Sequence, residues 1–341
     1  SGLTQKYITI SGTLVADTVL GPDPLGVATG NGKPTDPSVS YWYLDNTLRA
    51  PSGITLEISA DTLVKAGGAR FIEAQSGGTV NINGSVGNEV YLTSFTDDAV
   101  ADPDSSSAIT SSWYGLYYRD GSNGGNISSL KTWYAYYGIY YENPLTDIVV
   151  QDLEIQHALY GLYFTNSVDN SPVFNNTIIE ETDRNSIYIS GGSDTSFNPV
   201  FSGTQYIKGG ATNIYSCAYL NTSSPSLVFS GWTIEGGCGY GIYMEKNGSV
   251  ANNLVRNLPG RGIYVNTPEA VTIGGNAILN NNNYGMEIVR IGASSIVENN
   301  LIRGNSASYG GGMHIDSSAA GNIDFTLRNN LIVENIATVS T

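Results

Sequence analysis

The stretch from Gly239 to Thr267, GYGIYMEKNGSVANNLVRNLPGRGIYVNT, contains Gly-Ile-Tyr twice, 21 positions apart. Between the copies lies a second apolar burst, Leu254-Val255, with asparagines on both sides. Followed along the chain, the tripeptide becomes a ladder: Gly115-Leu116-Tyr117, Gly138-Ile139-Tyr140, Gly161-Leu162-Tyr163, Ser186-Ile187-Tyr188, Cys217-Ala218-Tyr219, Gly241-Ile242-Tyr243 and Gly262-Ile263-Tyr264. Gly285-Met286-Glu287 and Gly312-Met313-His314 continue it. Successive rungs are 23, 23, 25, 31, 24, 21, 23 and 27 residues apart. A second apolar ladder runs between them through Ile155, Ile179, Ile207, Ile234, Val255, Leu279, Ile302 and Ile332. Two interleaved ladders with one drifting period mark a solenoid, in which each repeat is a supersecondary unit stacked on the last.

The rungs are too short for helices. Each burst is three to five residues, β-branched or aromatic, and bounded by Gly, Asn or Ser, which reads as a short strand. A layer of two or three such strands fits an all-β, single-chain parallel β-helix of roughly 10–12 coils, with like strands about 4.8 Å apart. Asparagines recur at the turns, as in Asn252-Asn253, Asn299-Asn300 and Asn329-Asn330. Asparagine tolerates left-handed backbone geometry, and stacked amides bond up and down a ladder.

Composition agrees. Gly (41) and Tyr (23) are abundant and charged residues only 13%, whereas Gly and Asn are poor helix formers. The net charge of −15 argues against nucleic acid as a partner. Residues 1–244 carry −14 of it and residues 245–341 only −1. No apolar stretch approaches the ~18 residues of a membrane span. Cys217 and Cys238 are too few for a disulfide framework. They either bridge neighbouring layers or stand as two buried thiols, and two thiols is the expectation. The composition reads as a mature or trimmed extracellular or cell-surface chain rather than a cytosolic one, which is the expectation.

The pattern NNLIRGN…GGGMHID…RNNLIVEN resembles the right-handed parallel β-helix repeats of bacterial extracellular proteins. That superfamily includes pectate lyases, other polysaccharide-active enzymes, phage tailspikes and non-enzymatic surface proteins. The resemblance covers roughly residues 50–341 and implies a right-handed coil, but one solenoid hosts many chemistries. ISGTLVADTVL, SGITLEISADTLVKAGG and VYLTSFTDD look like the opening segments of large bacterial surface β-helix proteins. Residues 1–48 are expected to cap the first coil, residues 49–341 to form the helix, and residues 96–112 to be an Asp/Ser-rich loop insertion. NLIVENIATVST reads as a rung cut just after it is made, so the natural chain is expected to continue past Thr341.

Side chains alternate along a strand. With Ile263 and Val265 facing the interior, Tyr264 points outward, and the same logic exports Tyr117, Tyr140, Tyr163, Tyr188, Tyr219 and Tyr243. The seven phenols form a candidate ligand-binding column ending in Glu287 and His314, flanked by Tyr114, Tyr137, Tyr160, Tyr240 and Tyr284. Aromatic faces stack on sugars, while same-face tyrosines also stabilise a sheet with no ligand at all. The second ladder exports Gln156, Glu180, Lys208, Glu235, Arg256, Asn280 and Arg303, which read as a solvated salt-bridge ladder.

Catalytic signals are weaker. The resemblance implies, for lyases of acidic sugars, calcium-binding aspartates outside one sheet with an Arg or Lys beside them. This chain carries tyrosine there, which counts against lyase activity. A basic cleft would have to lie in the more neutral C-terminal third, with Lys246, Arg256, Arg261, Arg290, Arg303 and Arg328. Glu180, Glu181 and Asp183, beside Arg184, offer carboxylates for glycoside hydrolysis, and His314 with Asp316 an acid/base pair. Only two histidines, His157 and His314, argue against a His-based metal site. Asp97, Asp98, Asp102 and Asp104 cluster in the long loop as hard oxygen ligands for a structural Ca²⁺. The expectation is an extracellular structural or adhesive surface module that binds a glycan, or another surface protein, along the tyrosine column. The alternative is a polysaccharide lyase or glycoside hydrolase.

Overall fold

The computed structural model describes residues 6–26, 39–97, 110–165, 170–191, 196–211, 213–316 and 325–338. The chain is all β, its parallel strands stacked as a solenoid of about 11 turns. Among the described residues no helix is long and apolar enough to cross a membrane. Two compact units divide it: Ser1–Tyr163 with Pro172–Thr177, and Phe164–Ser171 with Ile178–Thr341.

In the second unit each full turn contributes three strands. The first column comprises Ser216–Asn221, Tyr240–Met244, Arg261–Asn266, Met286–Arg290 and Met313–Ile315, with Ala218, Ile242, Ile263, Met286 and Met313 in one register. The second stacks Ile207, Ile234, Val255, Ile278, Ile302 and Ile332. The third, invisible in the ladders of the sequence, stacks Phe229, Val250, Ile273, Val297 and Leu327. Ile207, Ile234, Val255, Ile263, Ile278 and Ile302 are fully buried, so three walls close on one apolar core. The second ladder needs a correction at one rung. Ile278, not Leu279, faces the core; Leu279 stands outward between Arg256 and Arg303, and Asn280 sits beyond the strand in the turn.

In the first unit Tyr7–Thr13 is already paired in parallel with Tyr41–Ala50. Leu48, Ile72, Leu116 and Ile139 then stack in register in the core. Their outward neighbours form the column Arg49, Glu73, Tyr117 and Tyr140.

The asparagine pairs divide the labour of turning. Asn252, Asn280, Asn299 and Asn329 adopt φ of 55°, 54°, 56° and 54°, the left-handed region that asparagine enters at low cost. The residue after each of the first three, Asn253, Asn281 and Asn300, is buried, and Asn330 is half-buried. Asn253, Asn276 and Asn300 each donate from Nδ2 to the Oδ1 of the asparagine one turn on, at 3.0, 2.9 and 2.9 Å, ending on Asn330. A second ladder, Asn281 to Asn305 to Asn335, repeats this at 2.9 Å. The same oxygens take a backbone N–H from the turn before, so a buried turn is left with no orphaned donor there.

Glycine in Gly-Ile-Tyr is required by packing. A Cβ on Gly262 would stand 2.4 Å from both Ile278 Cγ2 and Gly285 O, and one on Gly241 2.5 Å from Val255 Cγ1. Where cysteine replaces that glycine, the expected pair of thiols is overturned: Cys217 and Cys238 are joined in a disulfide, Cα–Cα 5.6 Å. Ala218 is in register with Ile242 one turn on, and Cys238 lies just before that strand, which brings the two cysteines together on adjoining layers.

Asn276→Ala should cost about 2–4 kcal/mol in urea unfolding, because it orphans buried donors of Asn253. Asn252→Gly should cost almost nothing, since glycine enters the same φ freely. Replacing both cysteines by alanine should cost about 3 kcal/mol by releasing a loop of one turn in the unfolded chain.

Candidate functional site

The tyrosine column is present within each unit. In the first, Tyr117 stacks on Tyr140 with centroids 4.3 Å apart and planes 8° apart, and Tyr140 meets Tyr163 edge-on at 5.1 Å. The flanking Tyr137 packs on Tyr140, Tyr160 and Tyr163 at 4.9, 5.6 and 4.7 Å. In the second unit Tyr188 stacks on Tyr219 at 5.0 Å. Tyr243 stands edge-on to Tyr219 and Tyr264 at 5.2 and 4.8 Å. Apart from the buried Tyr117, the column tyrosines are half-buried. Rings that cover one another show solvent their edges and hydroxyls rather than open faces.

Burial raises the pKa of Tyr117, and the hydrogen bond to Glu142 raises it further. Burial also raises Tyr137 and Tyr264, with the neighbouring phenols adding to it. These three hydroxyls stay protonated well above neutrality and are not phenolate bases.

Both units set charged groups against the column. In the first, the buried Glu73 pairs with Arg119 at 2.5 Å and with Arg49 at 3.5 Å. Arg119 lies 4.8 Å over the Tyr117 ring, and Tyr117 donates to Glu142 at 2.5 Å. In the second, Glu287 continues the column above Tyr264, and His314 above Glu287. Glu287 is 6% exposed, bonded to Arg261 Nε and 3.4 Å from His314 Nδ1. Arg261 takes the position that Tyr240 holds one turn earlier, 5.1 Å from that ring and 5.7 Å from Tyr264. Tyr284 stacks on His314 at 4.7 Å. The carboxylate facing His314 is therefore Glu287 rather than Asp316, whose backbone N–H donates to Ile288.

The other sequence candidates lie apart from this column. Glu181 pairs with Lys208 at 3.0 Å between neighbouring strands, Glu180 is half-buried and Asp183 exposed. The salt-bridge ladder is real at Glu235, which accepts from Tyr206 at 2.8 Å and from Arg256 at 2.7 Å. Asp97 is buried, its carboxylate taking the Thr93 hydroxyl at 2.8 Å and its carbonyl taking Lys65 Nζ at 2.6 Å. Asp98, Asp102 and Asp104 lie outside the described residues. Among the described residues no group of three or more His, Cys, Asp or Glu is placed to hold a metal ion. Sequence reasoning missed Arg49, Glu73, Glu142 and Glu245 as neighbours of the phenols. Glu142 and Glu245 share a repeat position, each two residues past a column tyrosine.

Two family models match the chain in part: "right handed beta helix region" over residues 211–340, and "periplasmic copper-binding protein (NosD)" over residues 67–200. Among solved structures, the Azotobacter vinelandii mannuronan C-5 epimerase AlgE6 A-module matches with TM-score 0.51 and 12% identity, over 96% of this chain and 91% of that one. A mutant of the periplasmic alginate epimerase AlgG matches with TM-score 0.49 and 15% identity, over 86% of this chain and 75% of that one. No curated protein matches. The chain has the fold of a right-handed parallel β-helix. Its described residues do not fit a copper site of imidazole and thiolate. His157 stacks on Tyr134 at 5.1 Å, His314 is held by Glu287, and both cysteines are in the disulfide.

The bond from Tyr206, with help from Arg256, holds Glu235 below the usual carboxylate range. A depressed folded pKa stabilises above the unfolded value and is lost as pH falls through the folded one. Acidifying below the ordinary glutamate range of about 4.3 should therefore lower the Tm, and Glu235→Gln should narrow that fall in a thermal-melt series.

Proposed function

We propose that this chain is an extracytoplasmic polysaccharide-binding β-helix whose ligand lies along the outward tyrosines. The observation that carries the reading is the in-register placement of one phenol per turn within each unit. Turns rise by about 4.8 Å, close to the advance of one ring in an extended sugar chain, so each turn meets one sugar. Phenol hydroxyls then bond the sugar hydroxyls, and ring edges meet its C–H surface. The disulfide supports an oxidising compartment, and the partial match to a periplasmic family agrees. The epimerase module of the same fold is named for mannuronan, itself a polysaccharide. An adhesive role follows if the bound polymer belongs to a surface.

A second reading, that the chain modifies the polymer it holds, is favoured by one observation. Glu287 fixes Nδ1 of His314, which leaves the other ring nitrogen as the base. Incubation with polysaccharides, read by new reducing or unsaturated ends, would reveal it.

Affinity electrophoresis through polysaccharide-loaded gels tests the binding reading. Tyr140→Ala with Tyr163→Ala in one variant, and Tyr243→Ala in another, should restore free mobility while far-UV circular dichroism stays unchanged. Unaltered retardation in folded variants would show that the ligand lies elsewhere.

A further inference from the structure

Resting on the reading of the tyrosine column as a polysaccharide site, we infer that its ligand is an amino-sugar polymer carrying free ammonium groups, lodged at Glu245 beside Tyr219 and Tyr243. The inference comes from what edges the column. Two residues past Tyr243 stands Glu245, and two residues past Tyr140 stands Glu142. Each reaches back one turn to accept the hydroxyl of the tyrosine there, Glu245 from Tyr219 and Glu142 from Tyr117. One arrangement is thus built twice, once in each unit, at the same repeat position.

Glu245 differs from six other glutamates among the described residues in lacking a cation. Glu73, Glu154, Glu181, Glu235, Glu287 and Glu298 each pair with Arg or Lys. Lys246, next in sequence, turns to Glu269 at 3.6 Å. Among the described residues no Lys, Arg or His pairs with Glu245. It is half-buried nonetheless, and a partly desolvated carboxylate beside aromatic rings favours an incoming cation.

The chain already places cations on this surface elsewhere. Arg119 lies over Tyr117, and Arg261 over Tyr240 and Tyr264. Among the described residues Tyr219 and Tyr243 carry no such cation. An ammonium on the polymer would meet Glu245 by a charge-assisted bond and a ring by the cation–π attraction. A uronate would instead bring its carboxylate against Glu245 and against a chain of net charge −15. A neutral glycan would leave Glu245 uncompensated.

The test uses three soluble polymers with the full chain: a partly N-acetylated polyglucosamine, a neutral β-glucan and a polyuronate. At about pH 5.5 amines are protonated and carboxylates ionised. Polyglucosamine should bind tightest, and more weakly as salt rises. Glu245→Gln should weaken it about tenfold, one charge-assisted bond, without changing binding of the neutral glucan. Glu298→Gln, which sits on the third strand column against Arg328, should change neither. Binding of none of the three would overturn the polysaccharide reading itself. Tightest binding of the glucan or the polyuronate, or an undiminished affinity in a folded Glu245→Gln variant, would leave that reading standing and overturn the amino-sugar assignment.

Discussion

Backbone hydrogen bonds in this fold tie each strand residue to its counterpart one turn away, in the same register, for turn after turn. The constraint is severe, because each strand side chain must be compatible with its counterpart about 4.8 Å above it. Residues that bond to their own kind can occupy such a column. Asparagine carries a donor and an acceptor on one amide, so Asn253, Asn276, Asn300 and Asn330 complete each other. Phenol rings stack. Like charges cannot, which accounts for a charged fraction of only 13% and for glutamates that meet Arg or Lys from a neighbouring turn.

The same constraint makes the candidate site a lattice rather than a pocket. Alternation sends Ile263 in and Tyr264 out, glycine at position 262 lets the wall approach Ile278, and repetition multiplies the result. A surface made by repetition is uniform, so chemistry enters where the repeat departs from itself. Arg261 replaces a flanking tyrosine, and Glu287 and His314 replace column tyrosines. All three departures meet at one place. Such local breaks in an otherwise consistent pattern are where function is expected to sit.

The two ladders, the outward tyrosines and the adjacency of Glu287 and His314 were legible because a period of about two dozen residues converts sequence distance directly into vertical contact. The third column was not. Its strands, from Val228–Ser230 to Ser295–Glu298, run only three or four residues and bury one or two each, too little to show a period. In Ala277-Ile278-Leu279 two adjacent apolar residues leave the inward one undecided, and a frame one residue off puts Leu279 inside. The disulfide was misread because a spacing of 21 residues, close to one turn, puts two cysteines on adjoining layers without fixing the distance between them, 5.6 Å between Cα atoms in the structure. Glu142 and Glu245 escaped because a solvated glutamate after a strand looks the same in sequence whether or not it reaches back to a phenol.

The pair Tyr117 and Tyr140, nearly parallel and 4.3 Å apart, has a consequence beyond recognition. Two identical chromophores held so close and so nearly parallel share their electronic excitation. Light absorbed by one ring is delocalised over both, and with Tyr163 at 5.1 Å it can pass further along the stack. The native chain thus carries a built-in optical reporter of turn-to-turn registry, which a slip of one strand would extinguish.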